Sequence, residues 1–336
     1  MNFEELNNLL NDNLSQSLNK RDLLFKTIRI PEEAQGEEIL FVGDLKYFKK
    51  IQDTSVLESS LCILNEKFFA SLEKNQINIP NYLVVKNFES AINKVSKYFY
   101  DQVFGELNFQ LDGRKLGSAE IHPSADIAEG VFIGEKVKIG KNVKIHPGVV
   151  IQPLVTIGDN TEIYPNVSIY PLSEIGSHCR IHSNTTIGAD GFGYNFSNGE
   201  HLKVWHFGGV EIQDHVEIGG NSCVDIGAFT KTTIGTGTKI DNFCQISHNA
   251  KIGKHCVFCG RSGVSGSCRI EDYVVFGAGA GAAPNVYLKT GTQVAACAII
   301  SENAIWGPKE VLAGHPAQPL KEYMRTQAKL RILAKK

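Results

Sequence analysis

The sequence predicts a left-handed parallel β-helix between an N-terminal α/β domain and a C-terminal α-helical tail, and three observations carry that prediction. Isoleucines recur every six residues from Ile121 to Ile187, twelve in succession. Four residues after each Ile comes a small or β-branched residue at nearly every repeat, among them Val131, Val137, Val143, Val149, Val155, Thr161 and Val167. The chain carries 32 Gly and 2 Met in 336 residues, a balance that favours tight turns over helical packing. A period of 3.6 cannot hold a six-residue stripe on one helix face, and an alternating strand has no need of that period. Hexads are the unit of a parallel β-helix: each supplies a short strand and a turn, and three close a triangular coil of about 18 residues with the Ile side chains inside.

The elements follow in order. Residues 1–118 read as an α/β domain, with helical spacing in Phe3, Leu6, Leu9 and Leu10 and in Ala91, Val95 and Phe99, and strand-like runs at Leu61–Leu64 and Tyr82–Val85. Residues 119–307 read as the β-helix, where Gly134, Gly140, Gly158 and Gly176, each directly after an Ile, suit tight turns. The pattern breaks between Gly188 and Gly209, resumes at Ile212, Ile218 and Val224, slips by four near Phe229–Thr233, and continues from Ile234 to Ile300. That counts 27 hexads, about nine coils, and at about 4.8 Å per coil a prism about 43 Å long. At Pro308 the chain is expected to leave the prism for an extension over 308–336, in which Leu320–Leu333 forms a helix that caps the open coil edge. A narrow prism exposes flat flanks, which predicts a homotrimer with sites in the grooves between subunits.

Composition sets limits on function. Thirty-four basic against 36 acidic residues leave a formal net charge of −2, without the basic field that nucleic acid requires. No apolar run approaches the roughly 18 residues of a membrane span, and MNFEELNNLL lacks a secretory pattern, so a soluble cytoplasmic protein is expected. Cys256 and Cys259 form a CxxC, yet Cys179, Cys244, Cys256 and Cys268 each stand in the small slot four residues after the hexad's aliphatic, which reads as core and not as zinc. A γ-type carbonic anhydrase would use this fold with three His; His146 and His182 share a face but stand two coils, about 10 Å, apart without a third. No metal is expected.

His248, in DNFCQISHNAKIG, is the strongest chemical candidate: it takes the outward third position of its hexad. Asp241, one hexad earlier, is the expected orienter of its imidazole. Gly266, 18 residues later, falls one coil above it, where a bare amide N–H can meet an oxyanion. A base beside an open amide suits acyl transfer to an amine. GADGFGY (Gly188–Tyr194) has no βαβ unit around it and is no nucleotide fingerprint, but it opens the longest break in the repeat, and long excursions from a solenoid tend to be functional. The tail sets Lys321, Arg325, Lys329, Arg331, Lys335 and Lys336 against Glu322, a solvated helix face or a dock for an acidic protein.

GADGFGY, IGTGTKIDNFCQISHNAKIG (Ile234–Gly253) and GHPAQPLKEYMRTQAKLR (Gly314–Arg331), in this domain order, resemble the UDP-3-O-acylglucosamine N-acyltransferase family of lipid A biosynthesis over nearly the whole chain. The resemblance implies transfer of an R-3-hydroxyacyl chain from acyl carrier protein to the 2-amine of UDP-3-O-acyl-glucosamine, with no cofactor. It implies His248 as general base, Asp241 in support and the Gly266 amide as oxyanion donor, and it makes Asp190, Gly191, Asn242 and Gln245 substrate contacts. LFVGDLKYF (Leu40–Phe48) is similar to the family's uracil-binding stretch, which places Phe41, Asp44 and Tyr47 around the base. Asp44 departs from the Asn often found there, and Asn285 stands where some members carry a second His. The acyl chain is expected in an apolar groove along the prism, the basic tail against the carrier protein. Two alternatives stay open: another sugar acyltransferase of the same fold, O-acylating or acetyl-CoA-dependent, and a non-catalytic β-helical scaffold in which His248 is dispensable.

Overall fold

The computed structural model describes residues 1–18, 23–314 and 319–334; Lys335 and Lys336 lie outside them, as does the stretch 315–318 of the GHPAQP segment. In the N-terminal part, α1 (Phe3–Leu9) starts with a capping box between Asn2 and Glu5. Strands β1 (Leu14–Leu18), β2 (Thr27–Arg29), β3 (Glu38–Val42), β4 (Leu61–Asn65) and β5 (Tyr82–Val85) form one sheet in the order β1-β5-β4-β3-β2. Pairing is parallel from β2 to β5, while β1 is antiparallel to β5. Buried on both sides, β4 reads as a continuous apolar run, LCIL, and not as an alternation. One sheet face packs on α1 and the long α4 (Phe88–Phe104) through Leu6, Leu10, Ala91, Val95 and Phe99. The other covers Leu40, Val42, Leu57 and Phe68, beside α2 (Leu45–Phe48) and α3 (Glu66–Phe69).

Beyond this sheet the hexads wind into a parallel β-helix with three faces. The first runs from Glu120–Ile121 to Ile305–Trp306 and the second from Asp126–Ile127 to Val311–Leu312, ten rungs each; the third runs from Phe132–Ile133 to Ile299–Ile300, nine rungs. The stack therefore continues past Pro308 and exceeds nine coils, because Trp306 and Leu312 keep the six-residue spacing after Ile300. Inward positions are buried almost without exception, and the predicted Cys179, Cys244, Cys256 and Cys268 sit among them. Burial pushes the thiols of Cys179, Cys256 and Cys268 up to about 11, so they stay protonated and inert.

The glycines after Ile serve a different purpose from the one expected. None of Gly134, Gly140, Gly158 and Gly176 has positive φ; a Cβ there would stand 2.4–2.6 Å from an atom of the next coil, so they permit close stacking. The left-handed corners fall two residues later, on Asn142 (φ 52°), Asn160 (58°) and His178 (59°). The outer surfaces of the faces differ too. Ahead of its inward residues the second bears Lys144, Glu162, Arg180, Glu217 and Lys239, whereas the third bears Phe132, Val150, Ser168, Thr186, Cys223, Gln245, Gly263, Gly281 and Ile299 there, and its rungs carry one charged side chain, Asp225, at the end of Cys223–Asp225.

The break in the repeat folds into a β-hairpin, Tyr194–Ser197 paired with Glu200–Lys203. Its turn, Asn198-Gly199, has positive φ at both residues, as the right-handed strand twist favours. The hairpin lies on α4: Asn87 Nδ2 donates to Ser197 Oγ (2.7 Å), Asn93 Nδ2 to the Lys203 carbonyl (2.8 Å), and the Trp205 N–H to Ser96 Oγ (3.2 Å). At the far end, α5 (Leu320–Leu333) forms where the spacing predicts it, but none of its residues is buried, and Ile305 and Val311 of the last coil stay exposed. Among the described residues the helix does not seal the coil edge, where the inward Trp306 stays 45% exposed.

Candidate active site

His248 follows the third-face rung Gln245–Ile246 and stands half-buried at the corner leading to the first face. Its neighbour Asn249 takes the left-handed turn (φ 60°) and is pinned there: its N–H donates to Thr232 Oγ1 (2.8 Å) and its Oδ1 accepts from the Ala228 N–H (3.0 Å). The same Oδ1 lies 3.2 Å from His248 Nδ1, so one end of the imidazole is anchored. At the other end a Cβ on Gly266 would sit 2.6 Å from Cε1 and 2.7 Å from Nε2, and on the opposite side a Cβ on Gly191 would sit 2.5 Å from the His248 Cβ. The ring thus occupies a slot that only glycines leave open. Among the described residues the Gly266 N–H donates to nothing, which leaves a donor beside Nε2.

The carboxylate nearest in influence is not the expected one. Asp241 lies at the preceding corner, between the second and third faces; it accepts from the N–H and the Nδ2 of Asn242 (2.7 and 3.0 Å), and its Oδ2 would be 3.2 Å from a Cβ on Gly260. Asn242 Oδ1 in turn accepts from the Gly220 N–H (2.7 Å), a staple between coils. One hexad is one face, so within a single chain Asp241 and Asn242 turn a different edge from His248. Asp225 stands beside Gln245 one coil down, where Cys223 pairs with Gln245, close enough to His248 to feel its charge. Burial raises the Asp225 carboxyl above its ordinary range, while a hydrogen bond from Gln245 and the charge of His248 pull it back. Gln245 therefore does join the site. Asp190 pairs with Lys203 at the root of the hairpin.

One more residue was missed in the sequence. His206, from the end of the excursion, is 1% exposed and meets His248 edge-to-face, ring centroids 5.3 Å apart. Burial, and then the charge of His248, push it down to about 4. No motif marked it; only its place in the longest break hinted at a role.

A cleft of about 810 Å³ runs between the N-terminal sheet and the first face. Phe41, Asp44 and Tyr47 line one wall, and Asn249, Lys251, Ser267, Arg269 and Tyr287 the other, so the neighbours of His248 and Gly266 reach it although those two do not line it. Phe41 stands edge-on to Phe88, Asp44 caps α2 by accepting from the Tyr47 N–H (2.9 Å), and Tyr47 is 46% exposed with Lys50 Nζ 4.8 Å from its ring centre. Asn285 lines the same cleft. Ion pairs bridge the two walls: Arg269–Glu32 at 3.1 Å and Lys251–Glu33 at 3.0 Å.

Comparison with known proteins comes to the same part of the chain. The family described as bacterial transferase hexapeptide (six repeats) matches residues 154–189 and 231–266. The chain is similar to a UDP-3-O-acylglucosamine N-acyltransferase of a Methylobacterium species, 45% identical over 152 residues, 44% of this chain and 42% of the relative. It is also similar to the enzyme of that name from Wolinella succinogenes, 39% identical over 153 residues, 45% of this chain and 48% of the relative. The chain thus spans less than half the length of these curated relatives. Among solved structures, the UDP-N-acetylglucosamine acyltransferase of Francisella novicida is 25% identical, with 62% of this chain and 72% of that one covered and a TM-score of 0.41.

Proposed function

We propose that this protein is a UDP-3-O-acylglucosamine N-acyltransferase that moves an R-3-hydroxyacyl chain from acyl carrier protein to the 2-amine of UDP-3-O-acyl-glucosamine. The observation that carries this reading is the slot itself: a histidine with Nε2 beside the open amide of Gly266, whose neighbours Asn249 and Ser267 line a cleft with Phe41 and Tyr47 on its far wall. The domain over residues 1–118 would hold the nucleotide, with the uracil between Phe41 and Tyr47 and near Asp44, and the sugar directed toward His248. Asp190 and Gly191 flank it from the excursion.

His248 takes a proton from the amine as nitrogen attacks the thioester carbon. The carbonyl oxygen becomes an oxyanion held by the Gly266 N–H. Collapse re-forms the C=O, breaks the C–S bond and releases the carrier thiolate, which receives the proton from the imidazolium. No cysteine is acylated on the way. The hydroxyacyl chain would lie along the uncharged stretch of the third face from Gln245 to Ile299, where Gly263 and Gly281 leave a shallow track that ends at Ile299 (a Cβ on Gly281 would be 3.0 Å from Ile299 Cδ1). Asp241 and Asn242 enter this reading only if a neighbouring copy in the predicted homotrimer brings its corner to this one. No helix among the described residues is long and apolar enough to cross a membrane, which fits an enzyme working in the cytoplasm on a carrier-bound donor. The basic helix α5 is the proposed contact for the acidic carrier protein.

The test is single-turnover transfer from hydroxyacyl carrier protein to UDP-3-O-acyl-glucosamine. His248→Ala, still folded, is expected to lose about 10²-fold or more. A wild type inactive with this pair but active with acetyl-CoA or another acceptor would move the protein to a different acyltransfer, and equal rates in both proteins would remove the base from His248.

A further inference from the structure

We infer that His206 is a positioning residue for the base: a buried imidazole whose edge-to-face contact holds the His248 ring in its working orientation, with Gly193 as its seat. The inference rests on reading His248 as the general base. It starts from a correspondence in GADGFGY. A Cβ on Gly191 would strike His248, at 2.5 Å from its Cβ; a Cβ on Gly193 would strike His206, at 2.5 Å from Cε1 and 3.0 Å from Nε2. Each glycine vacates the space that one imidazole fills, so the motif is cut to fit two rings.

The rings are held from both sides. The Val204 N–H donates to the Gly193 carbonyl (2.9 Å), the Phe207 N–H to the Ala228 carbonyl (2.8 Å), and the Ala228 N–H to the Asn249 Oδ1 that also faces His248. The interplanar angle is 69°, so tilting one ring requires moving the other. Packing alone does not account for an imidazole here. His206 Nδ1 is buried without a partner among the described residues, and an apolar side chain would fill the same volume without that cost. The polar ring also sets where charge can go. His206 is desolvated and faces His248, and both effects keep it neutral, so a proton taken up by the pair stays on the ring beside Gly266. That is the ring from which the leaving thiolate must recover it.

The experiment compares wild type, His206→Leu, His206→Gln, His248→Ala and the double variant His206→Leu/His248→Ala in the transfer assay above, with thermal unfolding recorded for each. His206→Leu is expected to lower kcat about tenfold with KM for both substrates within about twofold. His206→Gln, polar and neutral at every pH, is expected within about threefold of wild type. The double variant should be no slower than His248→Ala, because a residue acting through His248 has nothing left to act on. If His206→Leu fails to fold, Gly193→Ala displaces the same ring, and the same kcat loss and non-additivity are expected of it. Wild-type kcat in His206→Leu would reduce His206 to a space filler. A Gln variant as slow as Leu would mean that the proton passes through His206, and additivity in the double variant would make the effect structural; either overturns the inference. Full activity in His248→Ala is a separate result: it removes the base reading itself, whatever the His206 variants do.

Discussion

A single methyl group at Gly266 would overlap Cε1 and Nε2 of His248, and its three nearest heavy atoms all belong to that ring. Gly266→Ala should therefore leave the melting temperature nearly unchanged and lower the transfer rate about 10²-fold, as loss of a positioned base and oxyanion donor does. His206 makes a second prediction, about pH. Its folded value of about 4 lies below the usual histidine value, so between about 6.5 and 4 the unfolded chain binds the extra proton and the native state loses stability as pH falls. Urea midpoints should drop between pH 7 and pH 5 by more in wild type than in His206→Gln, the difference amounting to roughly 2 kcal/mol at most. The residues of this centre were unequally legible. His248 and Gly266 are 18 apart, one regular coil, and counting finds them. Asp225 escaped because its coil is longer: Val210 pairs with Thr232 and Cys223 with Gln245, 22 residues apart, so a count of 18 lands on the wrong residue. Asp241 drew attention by a spacing of seven, which in a three-faced prism leads to another corner.

Among elements, the rungs are interchangeable in kind but not in energy. Ile169 is fully buried with rungs above and below, whereas Ile121 sits at the open end and is only partly covered. Ile169→Ala should cost about 2–5 kcal/mol in chemical denaturation and Ile121→Ala well under half of that, since the cavity term needs neighbours on both sides. Element type and order were readable because the six-residue stripe is local and exact repetition leaves little choice of period; α5, too, formed at its predicted residues. The excursion was less readable. Ser197-Asn198-Gly199-Glu200 carries a hairpin signal, but what holds the hairpin is α4, about a hundred residues earlier, and no local pattern encodes that contact. The exit from the prism was read too early because Pro308 looks like a stop, although Trp306 and Leu312 continue the register around it.

For the molecule as a whole, α4 connects two sites. Its first residue, Phe88, stands against Phe41 at the aromatic wall, and Ser96, two turns on, accepts from Trp205 beside His206. Tyr47→Ala, confined to the wall, should raise KM for the nucleotide acceptor about two- to tenfold with kcat held, the size of one lost aromatic contact. The ion pairs that bridge the cleft, Arg269–Glu32 and Lys251–Glu33, are partly solvated and add little to stability, so Arg269→Ala should move the melting temperature by no more than a degree or two. The uncharged stretch of the third face, from Gln245 to Ile299, has a calorimetric consequence. A hydrocarbon laid along it displaces water from surface that binds water weakly, so donor binding should carry a negative heat-capacity change that grows with each methylene in contact. Titrating donors of increasing chain length at two temperatures would show that increment level off at the length the track accommodates, which reads the length of the groove in heat and not in distance.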